Sequence, residues 1–273
     1  TKGSLSRMIG LREDALRRGL PDSPRSSGAV QLRSSRRLLF GILFSSFLFL
    51  GLSLFLWHQR SWEQAVTIFH NFVYSRPLLL LVNESLSSWG MSTIALIYAF
   101  ALFRSLKAKG DYRDLPVYLL VLVSFLSAAV AGHLLKLIIA RLRPAVELSD
   151  RIVLHQLSST SSFPSGHTTN SMALALPFLL MATGKERLTR WVKGTVLVVA
   201  CGVAYSRIAL QRHFLSDVLA GVGVGLLFLY LSVEGCNALQ KKRPQSWERL
   251  LANPGYLPYL FLLLALLLGF VSF

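Results

Sequence analysis

The sequence predicts an all-α, polytopic membrane helix bundle of six core spans plus a C-terminal seventh. Three observations lead there. Apolar residues make up 53% of the 273, they fall in long blocks instead of the scattered spacing of a soluble core, and the positive charges gather in alternate gaps between those blocks.

The elements follow in order. Residues 1–37 are polar and rich in Arg and Ser, with Pro21 and Pro24 near the middle. The stretch Leu5 to Leu20 fits a short basic amphipathic helix, so this segment reads either as a cytoplasmic tail touching the inner leaflet or as a disordered tail. Leu38 to Trp57 is a run of twenty uncharged residues, enough at ~1.5 Å per residue to cross a hydrocarbon layer of ~30 Å. It is too long and too richly flanked by charge for a cleaved signal peptide, and is expected to remain as an anchor. From Trp62 to Val82, apolar residues at helical spacing (Trp62, Val66, Phe69, Val73) are broken by Arg76-Pro77. One or two short helices in the outer interface are predicted, either shaping a lipid entrance or simply connecting two spans. Further spans are expected at 86–103, 115–139, 167–183, 192–210 and 214–233. The last block, 256–273, follows Pro254-Gly255 and either crosses the membrane or lies against the bundle. This divides the chain into a tail (1–37), a six-span catalytic membrane domain (38–233), and a basic loop with the seventh span (234–273).

Twenty-nine Lys and Arg stand against thirteen acidic residues, and their placement decides what the excess means. Nine lie in the tail, and four each in 104–114, 183–194 and 241–249. Positive loops face the cytoplasm, so the N-terminus is expected inside, with Arg60, Arg76, the 140–163 loop and the 206–213 turn outside. The charge therefore reads as topology and contact with anionic headgroups, and a nucleic-acid partner is not expected. Cys201 and Cys236 offer no metal-ligand spacing and are assigned to packing.

Three polar signatures interrupt the apolar blocks: Lys136 with Arg143-Pro144, then Pro164-Ser165-Gly166-His167, then Ser206-Arg207 with His213 and Asp217. Pro144 biases Arg143 out of the helical region and ends the third span. Pro164-Ser165-Gly166 stands where a loop becomes a helix, whose unpaired N–H groups and positive dipole end favour an anion. His167, on the first turn, is placed to protonate a departing oxygen. His213 and Asp217 are four apart at a helix start, so the carboxylate can hold one ring nitrogen and leave the other free to attack phosphorus. Arg207 offers a planar fork for phosphate oxygens. Although they come from different spans, the predicted topology sends all three signatures to the outer side.

Their order and spacing resemble the type 2 phosphatidic acid phosphatase superfamily, a fold related to the vanadium haloperoxidases and bacterial acid phosphatases. Its pattern K-x6-RP, PSGH, SR-x5-H-x3-D is intact here, and the resemblance covers roughly 85–233. It implies that Lys136, Arg143 and Arg207 bind phosphate with Ser165 and the Gly166 N–H. It further implies that His213 forms a phosphohistidine oriented by Asp217, that His167 is the general acid, and that neither metal nor cofactor takes part. By analogy the activity is hydrolysis of a lipid phosphate or diphosphate at the outer face of a bacterial inner membrane. Undecaprenyl diphosphate is the first choice of substrate, and phosphatidylglycerophosphate, phosphatidate and lipid A phosphates are the alternatives. Transfer of the phosphoryl group to another lipid is a second enzymatic reading, and a lipid transporter is the reading outside catalysis. Membrane lipids are the expected partners, with no obligate protein partner.

Other residues carry weaker expectations. His133 shares a helical face with Lys136 and either lines the pocket or bonds within the bundle. His155, Arg141 and Arg151 read as solvated loop residues, with a headgroup or second phosphate as the functional alternative. Tyr205 is assigned to packing, Asn170 to support of the site, and His58 and His70 to the interface. Gly221, Gly223 and Gly225 predict close helix approach within the bundle, with dimerisation as the alternative.

Overall fold

Among the described residues the long apolar blocks are helical. A computed structural model describes residues 36–107, 115–149, 161–180, 187–246, 249 and 254–271, all within one of the chain's two contact units, Leu32–Phe273. The tail reading of residues 1–35, together with Arg151 and His155, lies outside the described residues. The helices are α1 (Arg36–His58), α2 (Arg60–Phe69), α3 (Pro77–Lys107), α4 (Leu115–Ile139), α5 (Pro144–Glu147), α6 (Gly166–Ala175), α7 (Arg187–Ala209), α8 (Leu215–Lys242) and α9 (Leu257–Val271). Five of them, α1, α3, α4, α7 and α8, have the length and hydropathy to cross a membrane. The protein is an integral membrane protein built from helices.

α1 shows how such a helix divides its surface. Phe40, Phe44, Phe47 and Leu54 are exposed, as a lipid-facing side requires, and the polar side chains turn inward. Buried Ser46 and Ser53 donate to the carbonyls of Gly223 (2.8 Å) and Ser216 (2.9 Å) on α8. A hydroxyl in an apolar setting needs a partner, and these two serines fix α1 along α8.

α2 has the reverse pattern of a soluble surface helix. Trp62 and Phe69 are exposed, whereas Glu63, Thr67 and the following His70 are buried. Of the apolar residues at helical spacing, Trp62 and Phe69 thus mark the outward face, an arrangement suited to contact with lipid, whereas Val73 is buried. After a short 3-10 turn (His70–Val73), Pro77 opens α3. Proline suits a first helical position because that N–H has no intrahelical partner. Residues 77–85, expected in the connector, are thus the first turns of the second span.

α6 is the inner helix, packed against α3, α4, α7 and α8. It holds small and hydroxylated residues, with Thr168, Thr169, Ser171, Ala173 and Leu174 fully buried. Where 167–183 was expected to form one span, the α-helix is ten residues long and continues as a 3-10 segment, Leu176–Leu180. Pro177 supplies the reason: it removes a backbone donor and clashes with the preceding turn. The glycines of α8 allow this crowding. A Cβ on Gly221 would stand 2.9 Å from the Ser165 carbonyl and one on Gly225 2.9 Å from Met172 Cβ, while one on Gly223 would meet Leu50 and Ser46 of α1. The three residues therefore face two different neighbours within the bundle.

α9, fifteen residues long, packs on α3. Its Phe261 lies 5.4 Å from the Tyr98 ring and 6.0 Å from that of Tyr118, and Tyr98 also meets Phe178 at 4.7 Å. This aromatic cluster fills the half of the bundle away from the polar signatures. Cys236 is buried and Cys201 exposed, both as free thiols.

Candidate active site

The three signatures meet at one end of the bundle. α4 ends, α6 begins, α7 ends and α8 begins there, so four helix termini surround the same small volume. The Lys136 side chain lies along α6: its Cε is 3.5 Å from where a Gly166 Cβ would stand, and its Nζ donates to the Ser161 carbonyl at 2.7 Å. Ser165 N–H donates to the Asp217 carbonyl at 2.9 Å, which joins the start of α6 to that of α8. Arg143 reaches across to the Arg212 carbonyl at 3.2 Å. The Arg207 carbonyl receives the N–H groups of Arg212 and His213, each at 3.1 Å, closing the α7–α8 turn.

Two turns feed this region with unusual backbone. Ala140 (φ 48°) and Gln211 (φ 52°) are non-glycine residues in the left-handed region, where a side chain costs about 1–2 kcal/mol. Ala140 ends α4 and throws Arg141 inward. Gln211 is held by its own side chain, which donates to Thr67 O (2.9 Å) and Asn71 Oδ1 (2.8 Å). Strain of this kind persists where surrounding contacts fix it, and it clusters at functional sites.

His213 is 1% exposed. Its Nδ1 sits 3.6 Å from Asp217 Oδ2, beyond hydrogen-bond length, and is a buried nitrogen with no hydrogen-bond partner among the described residues. The Asp217 carboxylate is itself fully engaged. Oδ1 accepts from Arg141 Nη1 at 2.8 Å, and Oδ2 accepts from Phe214 N at 2.9 Å and from the Ser162 hydroxyl. As the N3 residue of α8, Asp217 thus also caps the helix it belongs to.

Burial, followed by the positive charges of Arg207, Arg143 and Lys136, holds the His213 imidazole well below its ordinary pKa; the Ser162 backbone acts in the opposite direction. The ring is therefore neutral at physiological pH, with a lone pair available. The acid limb of kcat/KM that reports this ring is expected well below about pH 6.5, the value for an unperturbed histidine. A pH–rate profile losing half its activity at 6.5 or above as pH falls would contradict that environment.

The cations are arranged around this ring. Arg207 is 3% exposed and donates to Ser87 Oγ. Arg212, one residue before His213, also reaches Ser87 (3.3 Å) and forms a two-pronged pair with Glu84 at 3.0 and 2.9 Å. Arg207, Arg212 and Arg143, together with His213, act electrostatically on His167 at the start of α6. Lys136, Arg143, Ser165, Gly166, His167, Arg207, His213 and Asp217 are thus brought to one place. His133 is exposed. Asn170 Oδ1 is buried without a hydrogen-bond partner among the described residues. The His70 and Tyr205 rings meet at 5.8 Å.

Sequence reasoning missed two residues. Arg141, expected as a solvated loop residue, is 9% exposed and lies between the Trp57 and Phe214 rings (4.8 and 4.3 Å). It pairs with Asp217 and, at 2.6 Å, with Glu63 of α2. Glu63 drew no attention; a carboxylate on the apolar-looking stretch Trp62–Val73 was the signal available, since a charge there requires a buried partner.

A helical membrane protein whose helix ends gather phosphate-binding residue types beside a buried His–Asp pair is the class defined by this geometry. Residues 117–241 match the PAP2 superfamily. Among its relatives, an undecaprenyl-diphosphatase of Sulfolobus acidocaldarius is 28% identical over 47% of this chain and 61% of its own length. A phosphatidylglycerophosphatase B of Bacillus subtilis is 32% identical over 44% of this chain and 58% of its own. A lipid A 4'-phosphatase of Porphyromonas gingivalis is 38% identical over 24% of this chain and 25% of its own length. The chain thus spans less than two thirds of the length of these curated relatives. The crystal structure of a transmembrane PAP2-type phosphatidylglycerolphosphate phosphatase from Bacillus subtilis superposes with a TM-score of 0.55 at 26% identity, covering 72% of this chain and 96% of that one.

Proposed function

We propose that this protein is a lipid phosphatase that hydrolyses a lipid phosphate or diphosphate through a phosphohistidine, without a metal, at the outer face of a bacterial inner membrane. The observation that carries the reading is the buried His213 with Asp217 behind one ring nitrogen and Lys136, Arg143 and Arg207 acting on it. Phosphate settles among those three cations and the Ser165–Gly166 start of α6. The Nε2 lone pair of His213 attacks phosphorus, and the bond from that phosphorus to the leaving oxygen breaks (the lipid oxygen of a monoester, the bridging oxygen of a diphosphate). His167, kept protonated by the negative charge of the bound phosphate against the surrounding arginines, gives that oxygen a proton. Asp217 stabilises the imidazolium so formed, and their 3.6 Å separation tightens when the charge appears. His167, now neutral, takes a proton from water. That water attacks phosphorus, the P–N bond breaks, and inorganic phosphate leaves with His213 restored. Fixed cations and a helix end neutralise the developing charge, and Asp217 and Glu63 are already committed to an arginine.

Undecaprenyl diphosphate is the substrate we place first, on the likeness to the Sulfolobus protein. Phosphatidylglycerophosphate is the second reading, favoured by the likeness to Bacillus subtilis phosphatidylglycerophosphatase B and to the Bacillus subtilis crystal structure. The test is phosphate release by purified protein from both lipids, phosphatidate and a lipid A phosphate, with chelator present. Release from undecaprenyl diphosphate at the highest kcat/KM is expected. Dependence on added divalent cation would overturn the metal-free mechanism, and a phosphorylated second lipid in place of free phosphate would make the protein a transferase.

A further inference from the structure

Asp217 does not face His213 alone; it is the inner end of a buried chain of charges. Arg141 divides its two terminal nitrogens between carboxylates, Nη1 to Asp217 Oδ1 at 2.8 Å and Nη2 to Glu63 Oε2 at 2.6 Å. Glu63 in turn accepts from the Ser216 N–H at 3.0 Å and from the Ser216 hydroxyl, so it grips the first turn of α8. The guanidinium cannot swing away, because the Trp57 and Phe214 rings stand 4.8 and 4.3 Å from it. Glu63, Arg141 and Asp217 are all nearly excluded from solvent.

A single arginine buried with one carboxylate would cancel its charge. Here two carboxylates share one guanidinium, so the group keeps one net negative charge, and the oxygen nearest the ring is Asp217 Oδ2, which accepts from Phe214 N and the Ser162 hydroxyl and stands 3.6 Å from His213 Nδ1. That is where positive charge develops when the other ring nitrogen bonds to phosphorus. In a water-excluded site, a residual charge held in place acts strongly on a neighbouring ring.

We propose that Glu63 and Arg141 are positioning residues for catalysis: they lock the Asp217 carboxylate against His213 and leave it enough uncompensated charge to stabilise the phosphorylated imidazolium. The proposal rests on the His213 reading above. It also makes α2 part of the catalytic apparatus, since Glu63 lies opposite the exposed Trp62 and Phe69.

The test uses full-length protein in mixed micelles with labelled undecaprenyl diphosphate and phosphatidylglycerophosphate, quenched rapidly for acid-labile phosphoenzyme. Inorganic phosphate inhibition and thermal unfolding are measured on the same samples. Glu63→Gln keeps the shape and removes the charge. It is expected to slow phosphoenzyme formation by about tenfold to a hundredfold, the usual cost of losing an orienting partner, with the phosphate inhibition constant within about threefold of the parent because the cations are untouched. Glu63→Asp, which retains the charge one methylene short, is expected to fall between the two. Parent-like rates in Glu63→Gln, with His213→Ala inactive, overturn the proposal and leave the His213 reading standing. Parent-like phosphoenzyme in His213→Ala overturns that reading itself. A Glu63→Gln loss that follows phosphate affinity and melting temperature downward shows a brace and overturns the proposal. If Glu63→Gln does not fold, a parent-like rate in Glu63→Asp does the same, and an intermediate rate supports it.

Discussion

His213→Ala is expected to lower phosphate release by about 10⁴-fold or more, the scale seen when a covalent nucleophile is removed from a site whose binding groups remain. His167, the other imidazole at the site, is assigned to the leaving oxygen and is not expected to take over the attack. Asp217 is tied to Arg141, Ser162 and the Phe214 N–H, and the groups acting on the ring, Lys136, Arg143 and Arg207, are cations. Because those cations stay in place, the variant should still bind inorganic phosphate at near-parent affinity, which isothermal titration of the detergent-solubilised protein measures. A loss of less than tenfold in release, with binding intact, would remove His213 from the attack. The cavity left by an imidazole at 1% exposure also costs some stability, so both measurements belong on protein shown to be monodisperse.

Arg141→Ala is expected to be the most destabilising single change near the site, by about 3–5 kcal/mol, because removing one partner of a buried ion pair leaves the others uncompensated. Here the residue left behind is doubly charged: Glu63 and Asp217, 3% and 0% exposed, would share a dry pocket with no cation between them. Losing the stack between Trp57 and Phe214 adds about 0.5–2 kcal/mol more. Thermal unfolding in detergent reads the effect. The double variant Arg141→Ala/Glu63→Gln removes one of the stranded charges and is expected to recover part of the loss, as coupled neighbours do. A melting temperature unchanged in Arg141→Ala would mean that water or another cation reaches the pocket.

The span pattern was legible because lipid imposes one rule on every spanning segment: its backbone must satisfy itself, and its surface must be apolar. Leu38–Trp57 and 115–139 therefore announce themselves as helices, and α1 and α4 match them to within two residues. The boundaries failed where chain direction and composition diverge. Pro77 looks like a break but serves as a first helical residue, and Pro177 lies inside an apolar block yet ends the α-helix. The site signatures were visible for a different reason, since charged and histidine side chains at the end of an apolar segment are too costly to be incidental.

By itself, then, the sequence determined that this is a helical membrane protein with three polar signatures, and which residue types each offers to a phosphate. Those are local properties, set by composition and by spacing along one helix. Only the tertiary structure decided that Arg141 leaves the loop for the interior, that Glu63 meets it across 78 positions, and that both stand behind Asp217. A buried charge is tolerable only beside its partner, and partners brought together by the packing of α2 on α8 and a left-handed turn at Ala140 leave no mark on the spacing of either segment.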